Sequence, residues 1–234
     1  MSSEVSRRLG NPWAPGTFLG SLPAEVATAL VHSSVKRTFE AGRALLREGT
    51  TADTHVFLLL NGFVKATTAV DGVETVLGIR APGEVVGEIG ALTGNPRNAT
   101  VTACAPMTAG QISRGDFEAF LRQRQDAAAL ITAAVARQLR WANRRRVDIA
   151  AFPAYVRLAR LLIEVAEVCG RLRSDGGIEM VVPLSQPDLA AMIAAAQATV
   201  EKALRELRDQ GLIETGYRQL LITDPVRLRA VAEL

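Results

Sequence analysis

The chain of 234 residues is poor in the side chains that bind transition metals, with two cysteines and two histidines. Cys104 and Cys169 are far apart, and neither belongs to a CxxC motif. This scarcity argues against zinc, haem and iron–sulfur sites and is typical of proteins from a reducing compartment. Neither a nucleophile beside a base nor a pair of carboxylates stands out, so we expect no catalytic residues and no enzyme.

The chain also lacks long apolar runs and a strong charge of one sign. No stretch approaches the roughly 18 apolar residues of a transmembrane helix, and the N-terminal segment lacks the apolar core of a signal peptide. The formal net charge of +3 does not by itself indicate a polyanionic partner. We therefore expect a soluble, cytoplasmic protein with no membrane partner, of one large or two smaller domains.

Turn signals punctuate the first half of the chain. From Val35 to about Ser113, β-rich segments alternate with Ala-Gly, Asn-Gly, Asp-Gly and Pro-Gly pairs, which is typical of a barrel or sandwich. Asp71-Gly72 predicts a hairpin turn between two of these segments. Before them, residues 1–20 are rich in Gly and Pro and predict an irregular lead-in, whereas residues 22–33 have helical apolar spacing.

A long helical segment follows the β-rich half. Between Gly115 and about Ala151 the sequence has neither a proline nor a further glycine, which predicts one continuous helix. Six residues repeat along it at alternating spacings of four and three, as on a face that packs against another helix. A dimer seam is one interpretation, and a helix lying across its own β domain is the other. The repeating residues are Ile131, Val135, Gln138, Ala142, Arg145 and Ile149.

The C-terminal part has the element order of a winged helix-turn-helix. Pro153 opens one helix, and Ser185 begins the next with Asp188 three residues on, which resembles a capping box. A second helix ends at Gly211, and two strands joined by a turn at Thr215-Gly216 follow. Two helices with a tight link and a hairpin after them predict a winged helix-turn-helix.

In that geometry the second helix presents its N-terminal residues, Glu201 among them, to the DNA major groove. Gln197 can bond an adenine edge, Lys202 a guanine edge or a phosphate, and Thr199 a phosphate. However, residues 154–234 hold 10 Lys and Arg against 11 Asp and Glu, which is no basic footprint. A small helical domain that binds protein therefore remains the alternative.

The run GEVVGEIGALTGNPRNATV, residues 83–101, places an acid and an arginine among closely spaced glycines. Glycine lets the backbone approach an anion, and arginine supplies a forked, permanently charged set of donors. Glu88 could accept hydrogen bonds from ribose hydroxyls while Arg97 binds a phosphate, so together they fit a nucleotide monophosphate. A surface Arg–Glu pair over two tight turns explains the same residues. The P-loop and Rossmann patterns are absent.

The same run resembles the phosphate-binding cassette of cyclic-nucleotide-binding domains. The domain order resembles the cAMP receptor protein and fumarate–nitrate reduction regulator family of bacterial transcription factors, over nearly the whole chain after about residue 20. Further matches are VRLARLL (156–162), LSQPDLAAMI (184–193) and TVEKALRELRDQGLIE (199–214). The resemblance implies an α+β fold: a cyclic-nucleotide-binding β-roll (double-stranded β-helix or jelly roll, 21–125), a dimerisation helix (126–152) and a winged helix-turn-helix (153–234).

The resemblance also implies a ligand-responsive DNA-binding regulator, with cAMP or another cyclic nucleotide as its allosteric effector. Arg97 would bind the cyclic phosphate, Glu88 the ribose 2′-hydroxyl, and nearby amides would complete the cradle. Asn143 matches the position from which the family's helices reach the purine across the dimer. The implied nucleotide-binding residues are Gly87, Glu88, Ile89, Arg97, Asn98, Ala99 and Asn143, and the DNA-binding residues are Gln197, Ala198, Thr199 and Lys202.

Partners implied by the resemblance are double-stranded operator DNA, a second copy of the chain bound through the long helix and, as a further candidate, RNA polymerase. The cysteines with which some members bind an iron–sulfur cluster are missing, since no Cys precedes Cys104. A redox-sensing or oxygen-sensing role is therefore not expected.

Several positions depart from the family pattern. In the recognition helix, Ala196-Gln197-Ala198 replace the Ser-Arg-Glu that is common before the Thr, so the bases read must differ from those of the family's best-known operator. Ala142 replaces a Thr and Asn98 a small or hydroxyl residue, which leaves the effector's identity open. Arg145 is interpreted either as part of a solvated basic face or as a residue that holds a larger or more anionic ligand. Ala194 replaces a glycine in a left-handed turn at a cost on the order of 1 kcal/mol, so we expect this turn to be redrawn. A regulator that needs no cyclic nucleotide and a nucleotide-sensing protein-interaction module are the alternative functions.

Overall fold

The computed structural model describes residues 11–51, 54–70, 72–216 and 219–233. Asp71 of the predicted hairpin turn lies outside this part of the chain. The chain divides into two compact units, one made of residues up to Thr68 with Arg80–Arg140 and the other of Ala69–Ile79 with the residues from Trp141 onward. The helices are α1 (Phe18–Ser21), α2 (Ala24–Ser33), α3 (Glu88–Thr93), α4 (Arg114–Gln123), α5 (Gln125–Ala151), α6 (Ala154–Cys169), α7 (Gln186–Met192), α8 (Gln197–Asp209) and α9 (Pro225–Val231).

The β-strands of the N-terminal half form two four-stranded sheets with the orders β1-β8-β3-β6 and β2-β7-β4-β5. The pairs β1–β8, β3–β8, β3–β6, β2–β7 and β4–β7 are antiparallel. The strands are β1 (Val35–Phe39), β2 (Ala44–Leu46), β3 (Val56–Leu59), β4 (Val64–Val70), β5 (Val73–Arg80), β6 (Val85–Val86), β7 (Thr100–Ala103) and β8 (Met107–Ile112).

Strand β3 contributes to two apolar cores, because successive side chains of a strand point to opposite faces. Phe57 and Leu59 belong to a cluster between the two sheets. Val56 and Leu58 belong to a second cluster beneath the helices, which also contains Phe117 of α4. Strand β3 is therefore buried on both faces, which explains its unbroken apolar sequence.

The lead-in is less irregular than predicted. Thr17 caps α1 by accepting a hydrogen bond from the amide of Gly20, and both Phe18 and Leu19 are buried in the core beneath the helices. The side-chain amide of Asn11 donates to the carbonyl of Leu19 over 2.8 Å. Burial of the Phe-Leu pair therefore outweighs the local glycine and proline signals. The first ten residues of the lead-in lie outside the described part of the chain.

The predicted continuous helix is two helices, α4 and α5, which meet at Arg124 with φ −130° and ψ 89°. Both insert into the same core, α4 through Phe117 and α5 through Ile131. The first turns of α5 thus lie across their own β domain. Further along α5, Leu139 is 60% exposed and Ile149 is 43% exposed in the single chain.

The second unit has the predicted winged helix-turn-helix elements. Ser185 and Asp188 form the capping box, with both reciprocal hydrogen bonds present. A sheet of order β11-β12-β10-β9 accompanies the helices. Its strands are β9 (Gly170–Leu172), β10 (Ile178–Met180), β11 (Ile213–Gly216) and β12 (Gln219–Ile222).

Two turns of this unit differ from their predictions. Strand β11 continues through Thr215 to Gly216, which pairs with Gln219, so the turn predicted at Thr215-Gly216 is wrong. The two residues between Gly216 and Gln219 lie outside the described part of the chain. Ala194 has φ +50°. The expectation of a redrawn turn is therefore wrong, because Ala194 adopts the left-handed conformation in which the family has glycine. Together the two units confirm the predicted α+β fold. Within the described residues, no helix is long and apolar enough to span a bilayer.

Candidate effector site and DNA interface

Arg97, in the loop before β7, is held by hydrogen bonds of both its side chain and its backbone. Its side chain is buried, with the residue 4% exposed. Nη1 donates to the carbonyl of Gly87 over 2.6 Å, and Nη2 donates to the carbonyl of His55. In the backbone, its amide donates to the Thr50 carbonyl (3.0 Å) and its carbonyl accepts from the Gly49 amide (2.8 Å). The guanidinium therefore has a defined position against the turn that precedes α3.

Two of the four glycines of the quoted run make room for this arginine. Gly87 has φ +87°, and a Cβ there would lie 2.9 Å from Arg97 Nη1. A Cβ at Gly90 would lie 3.2 Å from the same atom. Gly83 has another reason, because its Cβ would lie 2.5 Å from Thr17 Oγ1. The spacing Gly87–Gly90–Arg97 is thus a packing requirement of one buried guanidinium.

Glu88 is the first residue of α3 and is 4% exposed. Its Oε1 accepts a hydrogen bond from Nε2 of Gln138, on α5, over 3.3 Å. Burial raises the pKa of the Glu88 carboxyl, while its own backbone amide and the nearby Arg80 act in the opposite direction. The arrangement is a buried carboxyl that can accept hydrogen bonds, which suits it to bind hydroxyl groups.

The remaining predicted effector residues fall in different environments. Ile89 is half-buried in α3, Asn98 is exposed, and Ala99 is buried between the sheets. Asn143 is exposed and belongs to the second unit, so its contact with a purine stays a prediction. The site residue that the sequence reasoning misses is Gln138, which it assigns only to the helical repeat. A polar glutamine among the mostly apolar residues of that repeat is the signal that could have revealed it.

The interpretation of Arg145 as part of a solvated face is wrong, whereas its role in holding a larger or more anionic ligand stays a prediction. The residue is 6% exposed and forms ion pairs with Glu164 of α6 and with Asp148. Arg160 pairs with the same Asp148 over 3.0 Å, and the Arg145 guanidinium lies 5.1 Å from the centre of the Trp141 ring. Two arginines and two acids neutralise one another here. Charges this well buried require partners, and the acids of α5 and α6 supply them.

The N-terminal turns of α8 present the predicted DNA-binding residues on one side. Gln197, Ala198, Thr199 and Lys202 are exposed. The opposite side holds the helix on its unit through the buried residues Val200, Ala203, Leu204 and Leu207.

Two family models match the chain where these sites lie. Residues 36–124 match the cyclic nucleotide-binding domain, and residues 156–231 match the Crp-like helix-turn-helix domain. The chain belongs to the cAMP receptor protein and fumarate–nitrate reduction regulator family. It is therefore a DNA-binding transcription regulator with a cyclic nucleotide-binding domain, as predicted.

Relatives of this family member are similar over almost their full length. It is 27% identical over 214 residues to the CRP-like cAMP-activated global transcriptional regulator of Mycobacterium tuberculosis, covering 91% of this chain and 94% of that one. It is 28% identical over 216 residues to the HTH-type transcriptional regulator Cmr of the same organism, covering 92% and 84%. Among solved structures, the c-di-GMP responsive global regulator CLP of Xanthomonas campestris shares its fold with a TM-score of 0.73 at 18% identity, covering 86% and 99%.

Proposed function

We propose that this family member is a homodimeric, cytoplasmic regulator whose binding to operator DNA is controlled by cAMP held between Glu88 and Arg97. The observation that carries the proposal is the buried Arg97 guanidinium, set against the turn at Gly87. Similarity to a cAMP-activated regulator supports cAMP as the first effector to test. We assign no catalytic role, and RNA polymerase is the candidate partner at the promoter.

Arg97 can bind the cyclic phosphate because its guanidinium carries a permanent charge and several donors in a fixed plane. In the structure Gly87 and His55 hold it through carbonyl oxygens. Hydrogen bonds from arginine to a phosphate are charge-assisted on both sides and are stronger than those to carbonyls. An anion at this place therefore gains more from Arg97 than the carbonyl contacts provide.

Glu88 can connect the effector to helix α5. Its carboxyl now accepts from Gln138 of that helix over 3.3 Å. A ribose hydroxyl that donates to the same carboxyl competes with Gln138 for it. Binding would then change a contact between the β-roll and α5, which gives the ligand a different affinity for two arrangements of the helix. Because coupling is reciprocal, operator DNA should tighten effector binding by the factor with which the effector tightens DNA binding.

Because of two departures from the family pattern, effectors other than cAMP are also candidates. Ala142 lacks the hydroxyl of the usual threonine, and Asn98 is larger than the small residue that commonly follows the arginine. A structural neighbour is described as c-di-GMP responsive, so a cyclic dinucleotide is a competing ligand. A same-fold regulator that needs no cyclic nucleotide is the second candidate function.

Calorimetric titration of the purified protein with cAMP, cGMP and cyclic di-GMP tests the proposal. We expect saturable binding of cAMP and, in Arg97→Ala, an affinity lower by at least about tenfold, because a hydrogen bond to a charged group contributes roughly 1.5–3 kcal/mol. Arg122→Ala is the matched control, since the Arg122 side chain is 70% exposed on α4. Saturable binding of another ligand, lost in Arg97→Ala, would rename the effector, and no binding of any ligand would favour the regulator without a nucleotide.

A further inference from the structure

The DNA-facing side of α8 carries an acid, Glu201, which the predicted set of DNA-binding residues leaves out. We propose that Glu201 is a specificity-determining residue that acts together with Gln197. The two side chains present acceptor oxygens to the major groove and so select a base that offers an amino group, cytosine or adenine. This inference rests on the binding of DNA by α8 and goes beyond it by naming the class of base.

The geometry of the pair carries the proposal. Gln197 and Glu201 are one helical turn apart and both are exposed. Nε2 of Gln197 donates to Oε1 of Glu201 over 3.2 Å and lies 3.5 Å from Oε1 of Gln186, the first residue of α7. The only donor group of the Gln197 side chain thus faces acceptors of the protein. Its carbonyl oxygen remains for a base.

The donors and acceptors on the base edges of the major groove determine which bases this arrangement prefers. Cytosine N4 and adenine N6 are donors, whereas guanine O6 and N7 and thymine O4 are acceptors. A glutamine free to turn can bond adenine with both its donor and its acceptor, but here the donor is engaged with Glu201. The Glu201 carboxylate is itself acceptor-only when ionised. Guanine or thymine at the same position would therefore leave acceptor facing acceptor.

The charge of the helix agrees with a role in specificity. Exposed side chains of α8 include Lys202, Arg205 and Arg208, which favour DNA of any sequence. A carboxylate among them is repelled by phosphates and weakens this general attraction. Such a group lowers affinity for most sequences and regains it only where a base donates to it. Glu201 thus lowers the affinity for DNA in general and increases the selectivity between bases.

The test is selection of DNA from a randomised library by the full-length protein, with and without cAMP at low salt. We expect the wild type to enrich half-sites with cytosine or adenine at one position, preferred by about 5- to 150-fold over the other bases. In Glu201→Gln, which can both donate and accept, the preference at that position should weaken toward all four bases, and in Glu201→Ala it should disappear. Glu206→Gln, which removes another exposed acid of α8, is the matched control and should retain the wild-type preference.

Each outcome decides between the inference and the function on which it rests. Unchanged preferences in both Glu201 variants overturn the inference while DNA binding stands. The same holds if the position that responds to Glu201 selects guanine or thymine in the wild type. A wild-type protein that enriches no sequence overturns specific DNA binding by this chain and the inference with it. Circular dichroism of the variants, whose substitutions are on the exposed side of α8, separates lost recognition from lost folding.

Discussion

At the scale of single residues, the most informative feature is how the two charged residues of the effector site are buried. Arg97 and Glu88 are each 4% exposed, so a surface Arg–Glu pair does not describe them. The arginine is held by backbone carbonyls and the acid by a glutamine. Each of the two side chains is therefore held by its own partners within the first unit.

The buried carboxyl of Glu88 predicts a pH dependence of stability. Burial raises its pKa in the folded state, so folding favours the protonated form. The free energy of unfolding of the wild type should then fall as the pH rises from the ordinary pKa of glutamate to the raised one, because ionisation of the buried carboxyl disfavours the folded state. A difference of one between the folded and unfolded pKa values corresponds to about 1.4 kcal/mol. Glu88→Gln lacks this loss. We expect the unfolding free energy of the variant to improve relative to the wild type as the pH rises above the ordinary pKa of glutamate.

Urea unfolding at a series of pH values measures this difference. A Trp141→Phe background lets the fluorescence of Trp13 report on the first unit, because Trp13 belongs to that unit and its indole donates to the Leu60 carbonyl over 3.2 Å. The substitution at Trp141 removes the signal of the other unit. A difference between Glu88→Gln and the wild type that stays constant with pH would contradict the assigned cause.

At the scale of elements, the turn between α7 and α8 predicts a stabilising substitution. Ala194 has φ +50°, a conformation that costs residues with a Cβ roughly 1–2 kcal/mol and glycine almost nothing. Glycine loses more backbone entropy on folding, which offsets part of this gain. Ala194→Gly should therefore raise the free energy of unfolding of the second unit by about 0.5–1 kcal/mol. Thermal or urea unfolding of the purified variant gives the value.

The matched control for this substitution has the opposite sign. Ala198 is exposed within α8, where glycine is less favourable than alanine by about 0.5–1 kcal/mol. Ala198→Gly should accordingly lower stability. If both glycine variants shift stability in the same direction, the left-handed strain at Ala194 is not the governing cause.

Elements with local signals could be predicted from the sequence, and those set by distant packing could not. Ser185 and Asp188 carry their capping box in their own side chains, and Gly211 terminates α8 locally with φ +68°. The break at Arg124 has no glycine or proline, because it arises from two helices entering one core at Phe117 and Ile131. Likewise, the short helix α1 follows from burial of its Phe-Leu pair, which no periodicity announces.

The candidate sites follow the same division. The contact of Arg97 with Gly87 could be anticipated, since a motif of glycines near an arginine is local in sequence. The ion pair of Arg145 with Glu164 could not, because Glu164 belongs to another helix and only the packing of α6 on α5 within the second unit brings it near. An arginine in a basic run is ordinarily solvated. Arg145 is buried instead, so its partners are set by the packing of the helices.

At the scale of the whole molecule, the exposed face of α5 bears on self-association. The predicted repeat combined positions that the structure separates: Ile131 is in the core, Gln138 contacts Glu88, and Arg145 pairs with acids. The apolar residues of α5 that remain exposed form a face that is rotated about the helix axis from the predicted repeat. In chain order these residues are Val135 (36% exposed), Leu139 (60%), the exposed Ala142 and Ile149 (43%). Their successive spacings of four, three and seven residues put them on one face of the helix.

This face predicts the dimer and the substitution that would dissociate it. An apolar stripe along a long helix is favourable only when a partner covers it, and a second copy of the same helix matches it by symmetry. Leu139→Arg places like charges opposite each other across such a seam. We expect sedimentation velocity to show a dimer for the wild type and a dimer dissociation constant raised by at least about tenfold in Leu139→Arg.

Leu172→Arg separates this seam from other apolar surface. Leu172 is 74% exposed on β9, so the substitution adds the same charge away from α5 and should leave the dimer intact. A wild-type protein that sediments as a monomer at all concentrations would contradict the homodimer. A Leu139→Arg variant as dimeric as the wild type would instead move the interface to another surface. Loss of the dimer in Leu139→Arg alone, together with weaker binding to two-fold symmetric operator DNA, would tie the α5 face to regulation, because two half-sites need two recognition helices held at one spacing.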